Sequence, residues 1–303
     1  MHPSSKNNAS QAPIGLISSA ASERLLEQRR EQKVSTPWGT AAALTGRIGG
    51  RDAVVVLRYG PKLTIPSHKI NYRANIWAMR ELGVERIISQ NAIGSVNPAV
   101  RPGDIMISHD FLDRTKARPL SLFDDSECWV RVDMTEPFCP EVRQALLGAT
   151  ATMPDRVIDR GVFACVEGPR FETPAEIRAL QRDGADIVGT PLVPEVTLAR
   201  EAEMCFASIA PVINYGAGMA PAVIHVGPGS MNDTYYSGGL HDRIEQALID
   251  AVAQLPSHRG CNCGHALRSG FHGQRPAWLK YCSLDELTEA ASTGVPVVAE
   301  QTA

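Results

Sequence analysis

The stretch from Gly161 to Ser208, GVFACVEGPRFETPAEIRALQRDGADIVGTPLVPEVTLAREAEMCFAS, decides how the chain is read. GVFACVEG has the apolar run of a buried strand, and Gly168-Pro169 breaks it. Thr173 is a good N-cap and Pro174 a good first helical residue, so a helix begins there, with Ile177 and Leu180 on its apolar face. DIVGT reads as a second short strand, and a further helix starts at Val193. Two strands bracketing a helix define an α/β sheet, in which the turns after the strands gather at the carboxyl edge where ligands bind. Phe171 and Glu172 leave the first strand at that edge. By spacing alone they are either a core aromatic beside a solvated acid or two residues of a site.

Working outward, 303 residues with 44% hydrophobic and 21% charged content suit one large globular domain. A net charge of −3 gives no electrostatic case for nucleic acid or an anionic membrane. No apolar run approaches the roughly 20 residues that span a bilayer. The polar start MHPSSKNNASQAP has no signal-peptide core, so residues 1–12 read as a disordered leader on a cytoplasmic protein. Residues 13–256 form the main domain and 257–303 a peripheral extension. The seven cysteines lack paired spacing in the main body and read as free thiols. In the extension, Cys261, Cys263 and His265 form a C-x-C…H group. Structural zinc sites use C-x₂₋₄-C with a second pair, so this group reads as a non-metal tail, with a peripheral helix (LDELTEAAS) after Gln274.

PIGLISSAASERLLEQ reads as a strand, a small-residue turn with Ser18, Ser19, Ala20 and Ala21, and a helix. Such a turn presents N–H groups and a hydroxyl to an anion or simply connects two elements. Gly49-Gly50 joins a hairpin whose second strand ends at Arg58. An arginine at the mouth of a site holds an anion bidentately; elsewhere it is a salt-bridge partner. A helix follows from Asn71, with Ile76, Met79 and Leu82 buried. ERIISQNAIGS is a strand ending in the turn Asn91-Ala92-Ile93-Gly94, RPGDIMISHDFLD is another strand, and residues 114–136 form a polar loop serving as lid or subunit contact. SIAPVINYG is a last strand delivering Asn214 and Tyr215. Residues 217–239 read as a mobile active-site loop, and LHDRIEQALIDAVAQL as an amphipathic helix with His241 in its first turn. Neither GxGxxG nor a P-loop is present.

KINYRANIWAMRELG, SVNPAVRPGDIMISHDFLDRT, TEPFCP, VEGPRFETPAEIRALQRDGADIVGT and VPEVTLAREAEMCFASIA resemble the trimeric purine nucleoside phosphorylase and 5′-methylthioadenosine phosphorylase family over about Pro13 to Leu255. The resemblance implies a three-layer α/β/α fold around a mixed, partly barrel-like sheet, a homotrimer, no cofactor, and phosphate as co-substrate in the phosphorolysis of purine nucleosides. It places Ser18, Arg58, Tyr59, Asn91 and Ala92 at the phosphate, and Phe171, Glu172, Thr190, Asn214 and His241 around the nucleoside. Glu172, Asn214 and Arg58 are then the catalytic set. His241 matches the histidine that meets the ribose 5′-hydroxyl; methylthio-specific members usually carry an apolar residue there. Glu172 and Asn214 match the pair of members that prefer 6-oxopurines such as inosine, guanosine or 5′-methylthioinosine, where adenine-preferring members tend to carry serine and aspartate.

Three phosphate-side departures stand beside this match. Ser18-Ser19-Ala20-Ala21 replaces G-G-[ST]-G, Arg58-Tyr59-Gly60-Pro61-Lys62-Leu63 replaces R-H-G-R-x-H, and Gly189-Thr190-Pro191 replaces G-M-[ST]. A charge-assisted contact contributes on the order of 1.5–3 kcal/mol, so these changes leave three readings open: a phosphorylase with an unusual phosphate grip, a nucleosidase using water or another acceptor, and a non-catalytic nucleoside-binding homologue. On the substrate side, a 5′-methylthioadenosine phosphorylase is a further alternative.

Overall fold

In the computed structural model, residues 11–220, 231–268 and 270–274 are described. The strands are β1 (Ile14–Ser18), β2 (Glu27–Thr36), β3 (Gly39–Ile48), β4 (Arg51–Leu57), β5 (Arg86–Gln90), β6 (Ile93–Ser95), β7 (Ile105–Ile107), β8 (Asp110–Arg114), β9 (Cys128–Val130), β10 (Val157–Ile158), β11 (Val162–Val166), β12 (Ile187–Gly189), β13 (Cys205–Tyr215) and β14 (Phe271–Gly273). The helices are α1 (Tyr72–Glu81), α2 (Pro140–Thr150), α3 (Pro174–Arg182), α4 (Glu195–Glu201) and α5 (Leu240–Gln254). One large mixed sheet runs β2-β3-β4-β1-β5-β13-β6-β12-β11-β8, with β7 joining β13 and β10 off that path.

Side-chain alternation makes the layers. Along β1 and β4, Ile17, Val54 and Val56 face one core with α1 residues Ile76 and Met79 and with Val196 and Leu198 of α4. Ile14, Leu16, Ala53 and Val55 face the other, with Val142 and Leu146 of α2 and Ile244 and Leu248 of α5. Successive strand residues point to opposite faces, so a continuous apolar run here means a strand covered on both sides. The result is the three-layer α/β/α arrangement with a mixed sheet.

β13 is the longest strand of the sheet's centre and holds its two halves together. Its first part pairs with β5 in parallel up to Ile209 and Gln90, and its last part pairs with β6. Pro211 lies beyond the end of the β5 ladder, so the N–H it lacks is not needed on that side. The register to β6 shifts between Val212 and Asn214, a bulge that re-aims Asn214.

Several element boundaries differ from the sequence reading. ERLLEQ is not a helix: a turn closed by Leu26 N–H donating to Ser22 O leads directly into the exposed edge strand β2. The last helix of the opening stretch starts at Glu195 rather than Val193, because a residue preceding a proline is disfavoured in helical geometry. ERIISQNAIGS divides into β5 and β6, so the turn consists of Asn91-Ala92 alone, and RPGDIMISHDFLD divides into β7 and β8. The first part of the extension packs on the body, with Leu267 1% exposed and β14 antiparallel to β9. Residues 1–10 of the leader, the LDELTEAAS helix and residues 221–230 of the long loop lie outside the described residues. No described helix is long and apolar enough to cross a membrane.

Candidate active site

The turns after β1, β4, β5, β11 and β12 and the last residues of β13 border one cavity of about 700 Å³. Ser19, Tyr59, Ala92, Phe171, Glu172, Thr190, Asn214 and Met231 are among the residues lining it. Six of the residues predicted from sequence therefore meet in one space: Tyr59, Ala92, Phe171, Glu172, Thr190 and Asn214.

The local structure explains how each is held. Thr173 caps α3 in a reciprocal box: Glu176 N–H donates to Thr173 Oγ1 at 3.2 Å and Thr173 N–H donates to Glu176 Oε2 at 2.8 Å. Arg170 donates to both carboxylate oxygens of Glu176 at 2.7 and 2.8 Å, and holds that carboxyl down at about 2. The segment Arg170 to Thr173 is thus fixed at both ends, with Phe171 and Glu172 between. Burial raises the Glu172 carboxyl above the ordinary range. Asn214 Nδ2 donates to the Tyr215 carbonyl at 2.8 Å, and a side chain at Gly94 would meet that same Nδ2 at 3.0 Å. Gly94 therefore leaves the room that Asn214 occupies. Thr190 Oγ1 lies 3.5 Å from Tyr59 Oη, bringing the ends of β12 and β4 together.

The other predicted residues lie behind this surface. Arg58 is 2% exposed and does not emerge at a mouth. Its Nε and Nη2 donate to Glu195 Oε1 and Oε2 at 2.8 and 2.9 Å, Nη2 also to Ser89 Oγ at 2.7 Å, and Nη1 to Gln90 O at 2.8 Å. Burial disfavours the guanidinium charge, yet the adjoining Glu195 carboxylate holds its pKa above the ordinary value. Asn91 is equally enclosed, donating to Ser208 Oγ at 3.0 Å and Ser89 Oγ at 3.2 Å. Ser18 Oγ donates to Gln90 Oε1 at 2.5 Å, and Gln90 Nε2 donates to Tyr235 Oη. Tyr235 in turn meets the His241 ring edge-on with centroids 5.3 Å apart. Ser18 and His241 are thereby linked through Gln90 and Tyr235, and it is Ser19 rather than Ser18 that reaches the cavity.

Sequence reading had no role for Glu195 or Arg118. Glu195 is 2% exposed and is the counter-charge of Arg58. Arg118, inside the segment read as a polar loop, is 7% exposed and lies 5.0 Å over the Tyr72 ring. It donates to the carbonyls of Val166, Glu167, Thr190 and Val193, tying the ends of β11 and β12 to each other. The available signal was the VPE triplet opening a helix directly behind a strand end. For Arg118 there was none, since a lone arginine among polar residues looks solvated.

The whole arrangement offers one charged acceptor, one amide and an aromatic face in an open cavity, over a buried ion pair. A family description, "Phosphorylase superfamily", matches residues 13–226. The chain belongs to the phosphorylase superfamily. This superfamily member is 41% identical over 254 residues to the 6-oxopurine nucleoside phosphorylase of Pyrococcus furiosus, a match covering 80% of this chain and 92% of that one. It is 38% identical over 259 residues to the S-methyl-5′-thioadenosine phosphorylase of Thermofilum pendens, covering 84% and 96%. Among solved structures, the methylthioadenosine phosphorylase of Schistosoma mansoni in complex with adenine superposes with a TM-score of 0.74 at 31% identity, covering 82% of this superfamily member and 93% of that chain.

Proposed function

We propose that the protein is a pentosyltransferase that cleaves 6-oxopurine nucleosides by phosphorolysis, giving the free base and ribose 1-phosphate. The observation that supports this most directly is that Glu172 and Asn214, delivered by separate strands, line the same cavity together with Phe171. In this reading the Glu172 carboxylate accepts the ring N–H of hypoxanthine or guanine. Asn214 donates to the imidazole nitrogen, where the electron pair of the breaking glycosidic bond accumulates. Phosphate oxygen forms the new bond to the anomeric carbon as the bond to the base breaks, and the departing purine anion takes up a proton. Adenine carries no proton on that ring nitrogen, so it leaves Glu172 without its donor.

The phosphate, on this reading, sits where Ser19, Tyr59 and Ala92 border the cavity. Arg58 contributes its charge from behind the turn while holding Glu195. His241 belongs to the ribose end, where the 5′-hydroxyl or methylthio group is accommodated. The homotrimer implied by the resemblance and the cytoplasmic setting read from the polar start complete the reading, with sedimentation as the check on the first.

The engagement of Arg58 by Glu195 favours a second reading, in which water rather than phosphate is the acceptor. One assay separates them. Purified protein is given inosine, guanosine, 5′-methylthioinosine or adenosine with and without phosphate, and free base is followed. Release that requires phosphate is expected, with 6-oxopurines preferred. Glu172→Gln should lower kcat/KM for inosine by roughly 10- to 100-fold and leave adenosine nearly unchanged, since about 1–3 kcal/mol attaches to that contact. Equal release without phosphate establishes hydrolysis, and equal loss on both nucleosides removes Glu172 from base selection.

A further inference from the structure

The cysteines that spacing left as unrelated thiols come together. Cys139 caps the start of α2, Cys205 opens β13, and Cys261 and Cys263 belong to the first turn of the extension. Their four sulfurs all lie within 4.8 Å of one another, with Cys139 Sγ 3.6 Å and Cys205 Sγ 3.4 Å from Cys261 Sγ. A tetrahedral zinc site with Zn–S bonds of about 2.3 Å has sulfurs about 3.8 Å apart, in the middle of this range. A disulfide needs about 2.05 Å. His265 is exposed and not in the group. The two ligands that the C-x-C…H pattern seemed to lack are supplied by the body of the protein.

The surroundings suit such a site. Residues 259–267 are fastened independently: Arg259 Nε lies 3.2 Å from Glu85 Oε2, Gly260 N–H donates to Glu141 Oε1 at 2.6 Å, and Leu267 N–H donates to Glu203 Oε1 at 3.2 Å. The thiols are therefore positioned by contacts other than their own. Arg86, the register partner of Cys205 on β5, is 1% exposed; its Nη2 lies 3.7 Å from Glu141 Oε2, an ion pair, and neither Nε nor Nη2 makes a hydrogen bond. Four thiolates around a divalent cation carry a net charge of −2. A buried guanidinium on the neighbouring strand and the N-terminus of α2 behind Cys139 both offset it.

We infer that Cys139, Cys205, Cys261 and Cys263 form a four-thiolate structural site for Zn²⁺ that clamps the C-terminal extension to the sheet. Binding converts four thiols to thiolates and releases their protons to solvent, with no change of oxidation state. The site is closed, without an open coordination position, so its role is to hold the extension rather than to act on the nucleoside.

The full chain, produced in zinc-supplemented medium and purified with reductant and without chelator, should contain about one zinc per chain by elemental analysis. Cys261→Ser with Cys263→Ser should lower that content at least tenfold, and Cys128→Ser should leave it unchanged. Cobalt reconstitution of the wild-type chain should give intense thiolate-to-cobalt bands and tetrahedral d–d bands, a readout independent of how the variants fold. After denaturation in chelator without reductant, all seven cysteines should react with a thiol reagent. Zinc at background level, iron in its place, or four cysteines silent to the reagent because they are paired as disulfides would each overturn the assignment.

Discussion

Two layers of the same strand ends behave in opposite ways. In the cavity, Glu172 and Asn214 are half-buried, and the cation beside Glu172, Arg170, is hydrogen-bonded to Glu176 instead; beneath, Arg58 and Glu195 are sealed and matched to each other at 2.8 Å. A buried charge without a partner is costly, so a site that must present a carboxylate to an incoming ligand keeps it at the cavity surface. A charge whose work is to organise the turns can be enclosed, provided its hydrogen bonds are complete. Position along a strand end therefore does not by itself separate a residue that meets the substrate from one that holds the floor. What separates them is whether the counter-charge is already inside the protein.

The sharpest way to break this contrast is to remove the inner partner. Glu195→Ala leaves the Arg58 guanidinium buried and unmatched and should destabilise the protein by about 3–5 kcal/mol in urea denaturation. A loss below about 1 kcal/mol would mean that Arg58 turns outward and belongs to the cavity after all. In the outer layer the balance should reverse. Asn214→Ala should lower kcat roughly 10²- to 10³-fold while stability stays within about 1 kcal/mol, measured by steady-state kinetics beside a melt.

A third acid sharpens the point. Glu201 is 7% exposed, and it takes its hydrogen bonds from neutral donors, Leu122 N–H at 2.7 Å and Ser121 Oγ at 3.0 Å. Burial pushes its carboxyl up to about 7 from an ordinary 4.5. The folded chain thus retains a proton that the unfolded chain gives up near 4.5, and this contribution to stability declines as pH rises from about 4.5 towards 7. Glu201→Gln should flatten the stability profile across that interval by about 3 kcal/mol. An unchanged profile would show that Glu201 is as well compensated as Glu195. The smallest effect is expected at the α3 cap: Thr173→Ala should cost about 1 kcal/mol and raise KM for the nucleoside, because Glu172 then leaves a looser helix start.

The layered sheet was legible because apolar strand runs and helical periodicities are local. Thr173-Pro174 and Gly49-Gly50 marked a helix start and a hairpin through chemistry confined to a few residues. The cavity residues were legible for a related reason, since polar residues closing buried strands gather at one sheet edge. What local pattern could not show was the direction of each side chain. Ser18 and Ser19 are neighbours, yet one donates to Gln90 and the other borders the cavity. ERLLEQ has helical composition, but pairing of the following residues with β3 outweighs it. The cysteine group was hidden because its members are distant in sequence, and the fold alone makes them neighbours.

β13 carries a consequence beyond any single contact. It is registered against β5 near Cys205 and against β6 near Asn214, so its eleven residues act as a ruler with both ends nailed down. Adding or deleting one residue between those points would turn the amide away from the cavity and place an apolar neighbour there. Length variation in this protein is therefore confined to the connections outside the strand, and anyone grafting new loops onto the scaffold should leave that interval untouched.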